Sequence, residues 1–388
     1  MLKNRNLKLS CAAGMALCLL SSAWSSQETE DVALTVDGID IPIVVLTPEQ
    51  GKGPFPVVYH VHGGGWNGGT KMEVPGAGLP PESKVLCDEL GIVYVGLAYR
   101  GKAQGTFQDA MDDLRASIKW FESNKKRFNA DTSRVGFSGG SAGTPLSALL
   151  AQEMSSCKTY VGLFGVYNLL SNEESLFPDE EACAEYDLVS EQQKRAASAF
   201  YHIRKNPPAT LLFHGALDIL VHPTQSERFA EKLKAAGAEV SCTIYPNANH
   251  GYLNPRNPEE YKDSVLKIAD LYTQHLTRYS LDVDGLSAQL DEMLERYFPL
   301  EKVNLAEVVG RWKAKKETLE FSADGTGTST NQKGESRPLT YTVNADRIDV
   351  SIGQNKMVYY MQNDRRAIYS IYPEGRFAGR KEHYTRQK

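Results

Sequence analysis

The chain has 388 residues, with 43 lysines and arginines against 48 aspartates and glutamates, a formal net charge of −5. That length predicts one large domain with a smaller one beside it. The near balance of charge excludes the basic footprint of a nucleic-acid binder and the charge excess of a disordered polyanion.

The first 25 residues read as a signal peptide. Lys3, Arg5 and Lys8 form a basic start, Leu9 to Leu20 is mostly apolar, and Ser21 to Ser25 offers small-residue cleavage sites. The run is short for a membrane span, so export without stable membrane insertion is expected. Cys87, Cys157, Cys183 and Cys242 would then remain. An oxidising compartment permits disulfides, with Cys157 and Cys183 the first candidate pair, while four buried thiols are the alternative.

From residue 26 to 280 the pattern is α/β. Val57–Val61, Ile92–Leu97, Tyr160–Phe164 and Thr210–His214 are short apolar runs, as strands covered on both faces require. Between them Phe107, Met111, Leu114, Ile118 and Phe121 step by four and three along one helical stripe. Gly237 closes a later helix, and Tyr261, Val265, Ile268, Tyr272 and Leu276 mark another. A mostly parallel, doubly wound sheet follows from this alternation. The stretch 168–206 is long for a connection and reads as either a partial lid or a surface excursion.

Residues 281–300 carry one more amphipathic helix, read as a linker. From 301 to 388 the pattern has period two, with turns at Asp324-Gly325 and Glu374-Gly375, predicting a small antiparallel barrel or meander. Its opening, Gly310-Arg311-Trp312 followed by Leu319 to Gly325, resembles small lipocalin-like domains. Tyr359, Tyr360, Tyr369 and Tyr372 are either a stacking platform for an unidentified ligand or part of its core.

The chemistry centres on Gly139-Gly140-Ser141-Ala142-Gly143, a G-x-S-x-G turn between a strand and a helix. A second frame centres on Ser138. With Ser141 as nucleophile, Pro145 falls in the first helical turn, where amide hydrogens lack intrahelical partners. With Ser138 it would sit in the helix interior, at about 3 kcal/mol. Ser141 is therefore the expected nucleophile. A hydroxyl needs a base to take its proton. Of the eight histidines, His250 lies in an Asn/Gly loop after a strand, where an imidazole can swing over the strand ends. His60, His62 and His214 fall in or at the ends of strands and read as structural. Asp218 follows the strand ending at Gly215 and completes the chain order Ser, Asp, His. The amide of Ala142 and the bare backbone of Gly64 and Gly65, ahead of Gly63, are the expected oxyanion donors. Trp66, ending His62-Gly-Gly-Gly-Trp66, is expected at the substrate pocket.

Over about Thr35 to Tyr279 these residues resemble the α/β-hydrolase esterases with an H-G-G-G-W oxyanion motif, a group that includes bacterial feruloyl and acetyl esterases and related lipases. Ala98-Tyr99-Arg100, Asp113 before Trp120, Asp131 to Val135 and Tyr201 to Pro208 look like landmarks of that group. The resemblance implies the triad above, an acyl-enzyme route, no cofactor, and small acyl esters, free or on polysaccharide, as substrates. Thr144-Pro145 departs from it, since relatives often carry another glycine after Gly143. An amidase or peptidase on the same triad, and a binding protein on a retired hydrolase scaffold, are the alternative readings.

Overall fold

The computed structural model describes residues 26–67, 78–170, 180–218, 220–246, 248–251, 258–297, 304–314, 317–344, 347–353, 355–361, 367–371 and 381–387. The expected signal peptide lies outside them. Eight strands form one sheet: β1 (Gln27–Val36), β2 (Ile39–Thr47), β3 (Phe55–Val61), β4 (Val93–Leu97), β5 (Ala130–Gly140), β6 (Cys157–Leu163), β7 (Ala209–Gly215) and β8 (Val240–Tyr245). Their order is β1-β2-β4-β3-β5-β6-β7-β8. β2 runs antiparallel to both its neighbours, and every pair from β4 to β8 is parallel. The apolar runs read from the sequence are these parallel strands, and every residue of β3 and β4 is buried.

Helices cover both faces: α1 (Glu82–Leu90), α2 (Phe107–Asn124), α3 (Thr144–Glu153), α4 (Glu180–Glu185), α5 (Glu191–Ala196), α6 (Thr224–Ala235), α7 (Pro258–His275) and α8 (Val283–Tyr297). α2 opens on a capping box, in which Thr106 accepts from the Asp109 amide while the Asp109 carboxylate accepts from the Thr106 amide. Its five stripe residues are all buried. Among the described residues no helix is long and apolar enough to cross a membrane.

Three expectations need revision. α8, read as a linker, buries Leu286, Leu290, Met293 and Leu294 in one apolar cluster with Leu86, Leu90, Val265 and Tyr272. Gln289 also donates to Glu89 of α1 at 2.6 Å. The helix is therefore a component of the α/β core. No disulfide joins Cys157 and Cys183. Both are buried thiols, Cys157 in β6 with its Sγ donating to the Thr159 carbonyl and Cys183 inside α4. The 168–206 stretch is no loose excursion where it is described. Tyr186 is buried and donates to the Arg100 carbonyl at 2.6 Å, and Leu188 and Phe200 join the main core.

Beyond α8 and a short helix α9 (Leu305–Val308) lies a closed antiparallel barrel. Its strands are β9 (Gly310–Lys313), β10 (Glu317–Phe321), β11 (Thr326–Asn331), β12 (Ser336–Asn344), β13 (Arg347–Ile352), β14 (Asn355–Met361), β15 (Ala367–Ile371) and β16 (Lys381–Arg386). β9 closes it by pairing with both β10 and β16. Trp312, Phe321, Tyr341, Ile348 and Tyr359 fill its core, and the Trp312 indole N–H donates to the Val308 carbonyl at 2.8 Å. Tyr359 is thus a core residue and no part of an exposed platform. Tyr372 and the side chains of Tyr360 and Tyr369 lie outside the described residues.

Candidate active site

β5 ends at Gly140, a single 3₁₀ turn (Ser141–Gly143) follows, and α3 begins at Thr144 with Pro145 in its first turn. Ser141 has a φ of +50°, a left-handed conformation that costs a non-glycine residue roughly 1–3 kcal/mol. The turn is held by close packing. A Cβ on Gly143 would stand 2.3 Å from the Val61 carbonyl oxygen and 2.5 Å from that of His62. One on Gly139 would meet Ser147 Oγ at 2.3 Å. Gly143 is therefore required by contact with fixed backbone, while Gly139 faces chiefly a hydroxyl that can turn. Ser138 sits inside β5, buried, with its hydroxyl 2.9 Å from His60 Nδ1.

Ser141 Oγ lies 2.8 Å from His250 Nε2, and His250 Nδ1 lies 2.7 Å from Asp218 Oδ2. A carboxylate can only accept, so His250 carries its hydrogen on Nδ1 and leaves Nε2 free to accept from the serine hydroxyl. The three side chains come from separate strand ends at one edge of the sheet, where open α/β sheets bind ligands. Asp218 is 5% exposed. Its Oδ1 accepts from the amides of Leu220 and Val221, each at 2.9 Å, and its Oδ2 also faces His214 Nε2 at 3.1 Å. Burial raises the carboxyl's pKa, but the hydrogen bonds from His214 and His250 outweigh it and hold the group down at about 2.

The H-G-G-G-W segment lies directly against this turn. A Cβ on Gly63 would be 2.7 Å from the Gly140 carbonyl oxygen and 3.1 Å from Ser141 Cβ. Gly64 and Gly65 have φ of +112° and +62°, values that favour glycine. Trp66 is among the residues lining the cavity over Ser141, as expected, and it has a second role. Its own φ of +57° turns it inward, where it is 3% exposed and packs on Tyr186 and Phe107. Its indole N–H donates to the Ala142 carbonyl at 2.8 Å. Trp66 touches the cavity wall, but chiefly it ties the glycine segment to the serine turn. His62 stacks on Tyr99 at 4.6 Å and donates from Nδ1 to the Gly63 carbonyl. Burial lowers its pKa, and burial together with His62 pushes His60 down to about 3, so both are neutral imidazoles.

A cavity of about 820 Å³ opens over Ser141 and His250. Gly64, Gly65 and Ala142 line it on one side, and Leu79, Leu163, Phe164, Val166, Ala182 and Leu220 make its wall largely apolar. Ala182 brings the 168–206 stretch to the site. Two residues here escaped sequence reading. Phe164, at a φ of +41°, sets its ring edge-to-face on His250 at 5.1 Å. His214, read as structural, shares the Asp218 carboxylate. Its one signal was standing four residues before Asp218 on the same strand end.

Two expected landmarks meet in space. Arg100 forms a bidentate pair with buried Asp113, both bonds at 2.9 Å, which anchors the strand end behind Tyr99 to α2. Thr144 is accommodated by its neighbours. Its buried hydroxyl donates to the Ser141 carbonyl at 2.5 Å and accepts from the Val166 amide at 2.8 Å.

The BD-FAE family model matches residues 43–233. The carboxylesterase NlhH of Mycobacterium tuberculosis is 31% identical over 58% of this chain and 75% of its own length. The chain belongs to the α/β-hydrolase esterases. Among other members, the probable carboxylic ester hydrolase LipM of M. tuberculosis is 26% identical over 52% of this chain. The isoprenylcysteine α-carbonyl methylesterase ICME of Arabidopsis thaliana is 28% identical over 57%. The chain spans about half the length of these two relatives, 50% and 57%. The esterase fold is also that of the propionate-bound Thermogutta terrifontis Est2 structure, with a TM-score of 0.52 at 23% identity over 63% of this chain and 93% of that one.

Proposed function

We propose that this esterase-family protein is an exported serine carboxylic ester hydrolase working through an acyl-enzyme at Ser141. The observation that carries the reading is the unbroken hydrogen-bond chain Ser141–His250–Asp218, at 2.8 and 2.7 Å. Ser141 Oγ attacks the ester carbonyl while His250 Nε2 takes its proton. Asp218 holds the imidazole in the tautomer that can accept and stabilises the imidazolium that forms. The amides of Ala142, Gly64 and Gly65 receive the developing oxyanion. His250 returns the proton to the leaving alcohol, then activates water to release the acid. No cofactor enters this route.

The apolar wall and the volume of the cavity support an uncharged acyl group of small to moderate size. Acetyl and feruloyl esters, free or on polysaccharide, are the proposed class, supported by the family match. The deciding experiment is hydrolysis of nitrophenyl acetate through octanoate and of methyl ferulate by wild type, Ser141→Ala and Ser138→Ala. We expect Ser141→Ala to lose at least about four orders of magnitude in kcat, while Ser138→Ala stays active. A folded wild type inert on every ester, or an active Ser141→Ala, refutes the reading.

A further inference from the structure

The Asp218 carboxylate serves two imidazoles. Its Oδ2 faces His250 Nδ1 at 2.7 Å and His214 Nε2 at 3.1 Å. His214 Nε2 also lies 2.9 Å from the Val221 carbonyl oxygen. Both neighbours of that nitrogen are acceptors, so it must carry the hydrogen. His214 Nδ1 then accepts from the Ser226 hydroxyl at 2.8 Å, which locks the tautomer. His214 and Ser226 are both fully buried, so neither contact competes with water. The catalytic carboxylate therefore sits at the centre of a Ser226–His214–Asp218–His250–Ser141 chain.

We propose that His214 is a positioning residue for the triad, acting through Asp218 by donating to the same oxygen that serves His250. The proposal rests on the esterase reading above. Its physical content is a sharing of charge. A second donor on Oδ2 fixes the plane of the carboxylate and withdraws electron density from the atom that stabilises the His250 imidazolium. Removing that donor would leave the carboxylate's full charge to His250 and free its plane to turn. Other titratable groups facing this cluster, among the described residues, include His222, which feels both His214 and Asp218, Glu227 of α6 beside it, and Tyr167, whose phenol faces the Ser226 hydroxyl.

The test compares His214→Phe, His214→Gln and Ser226→Ala in the full chain. One readout is the pH profile of kcat/KM on a nitrophenyl ester. The other is the His250 titration followed by NMR of ¹⁵N-labelled imidazoles, which needs no turnover. His214→Phe deletes the donor, and we expect the acid limb and the His250 titration to move up by roughly half a unit to one unit. The plateau rate should fall roughly tenfold, as when an outer partner of a catalytic group is lost. His214→Gln carries an N–H to about the same place and restores the wild-type titration. Ser226→Ala keeps the Nε2 hydrogen but removes the bond that holds the ring from its other side, giving a smaller upward shift. If His214→Phe does not fold, Ser226→Ala decides. An unmoved His250 titration in that variant, or in a folded His214→Phe, overturns the proposal whatever happens to kcat. Failure of the esterase reading would show separately, as a wild type without ester turnover or a Ser141→Ala that keeps it.

Discussion

Glu82 opens α1, directly after Pro80 and Pro81 of the cavity wall, and it is 3% exposed. The Tyr261 hydroxyl donates to its Oε2 at 3.2 Å. Burial pushes its carboxyl from an ordinary 4.5 up to about 7, against the backbone and Tyr261 hydrogen bonds that favour the anion. The consequence for stability has a definite sign. Below pH 4.5 the group is protonated in both states and exerts no penalty. Between pH 4.5 and 7 the unfolded chain gives up the proton first, so stability falls as pH rises, and above 7 the penalty is complete. A shift of that size corresponds to roughly 3 kcal/mol. Glu82→Gln has no proton to lose there. Its amide can still accept from Tyr261, and any mispairing of its NH₂ adds an offset that does not vary with pH. Urea unfolding of both proteins at pH 4, 5.5, 7 and 8 therefore isolates the effect. The variant should gain about 3 kcal/mol on wild type between pH 4 and 8. A difference that is flat across that range would show that Glu82 ionises as readily folded as unfolded, and the argument from its burial would be wrong.

Two further predictions concern the contact between the glycine segment and the serine turn. Gly143→Ala places a methyl group 2.3 Å from one backbone oxygen and 2.5 Å from another. Neither can rotate away, so β3 and the turn must part, with a loss of roughly 1–3 kcal/mol. Ester turnover should fall by about a hundredfold or more, and a variant with wild-type rates would refute the packing. Trp66→Phe keeps an aromatic ring but leaves the buried Ala142 carbonyl without its donor, at about 1–3 kcal/mol. A melting temperature lowered by roughly 5 °C is expected, with a fall in kcat larger than any change in KM. An unchanged melting temperature would mean that the bond contributes nothing.

What could be read in the sequence was what a single segment decides by itself. A strand buried on both faces must be apolar throughout, so β3, β4, β6 and β7 were visible as runs. Pro145 discriminated between two serines because a proline tolerates only the first turn of a helix, and α3 begins one residue before it. The hairpin of β1 and β2 was harder. β1 begins Gln27-Glu28-Thr29-Glu30-Asp31, an exposed edge strand without an apolar face at that end, held by its long register with β2. Its one local signal was the Asp37-Gly38 turn, where both residues take positive φ.

What could not be read depended on two distant segments meeting. The stripe on α8 is that of any amphipathic helix, and nothing in its spacing says that it packs on α1 and α7. An indole beside three glycines reads as a pocket aromatic, which it is, but nothing local says that a left-handed φ at Trp66 also seats it in the core. His214 reads as a satisfied strand histidine, and it is one; its partner is Asp218, brought back to it by the turn after β7. Thr144 makes the same point, standing where the family resemblance leads one to expect a glycine. The threonine methyl needs room, and the residue facing it is Gly165, where a Cβ would fall 2.6 Å from Thr144 Cγ2. Gly165, on the segment after β6, is the small residue that makes that room. The Thr144 hydroxyl then links Val166 to the Ser141 carbonyl, fixing the cavity wall to the serine turn. Read along the chain, Thr144 is a departure that puts the acyl pocket in doubt. Read across the gap, it is one half of a pair that leaves the turn intact.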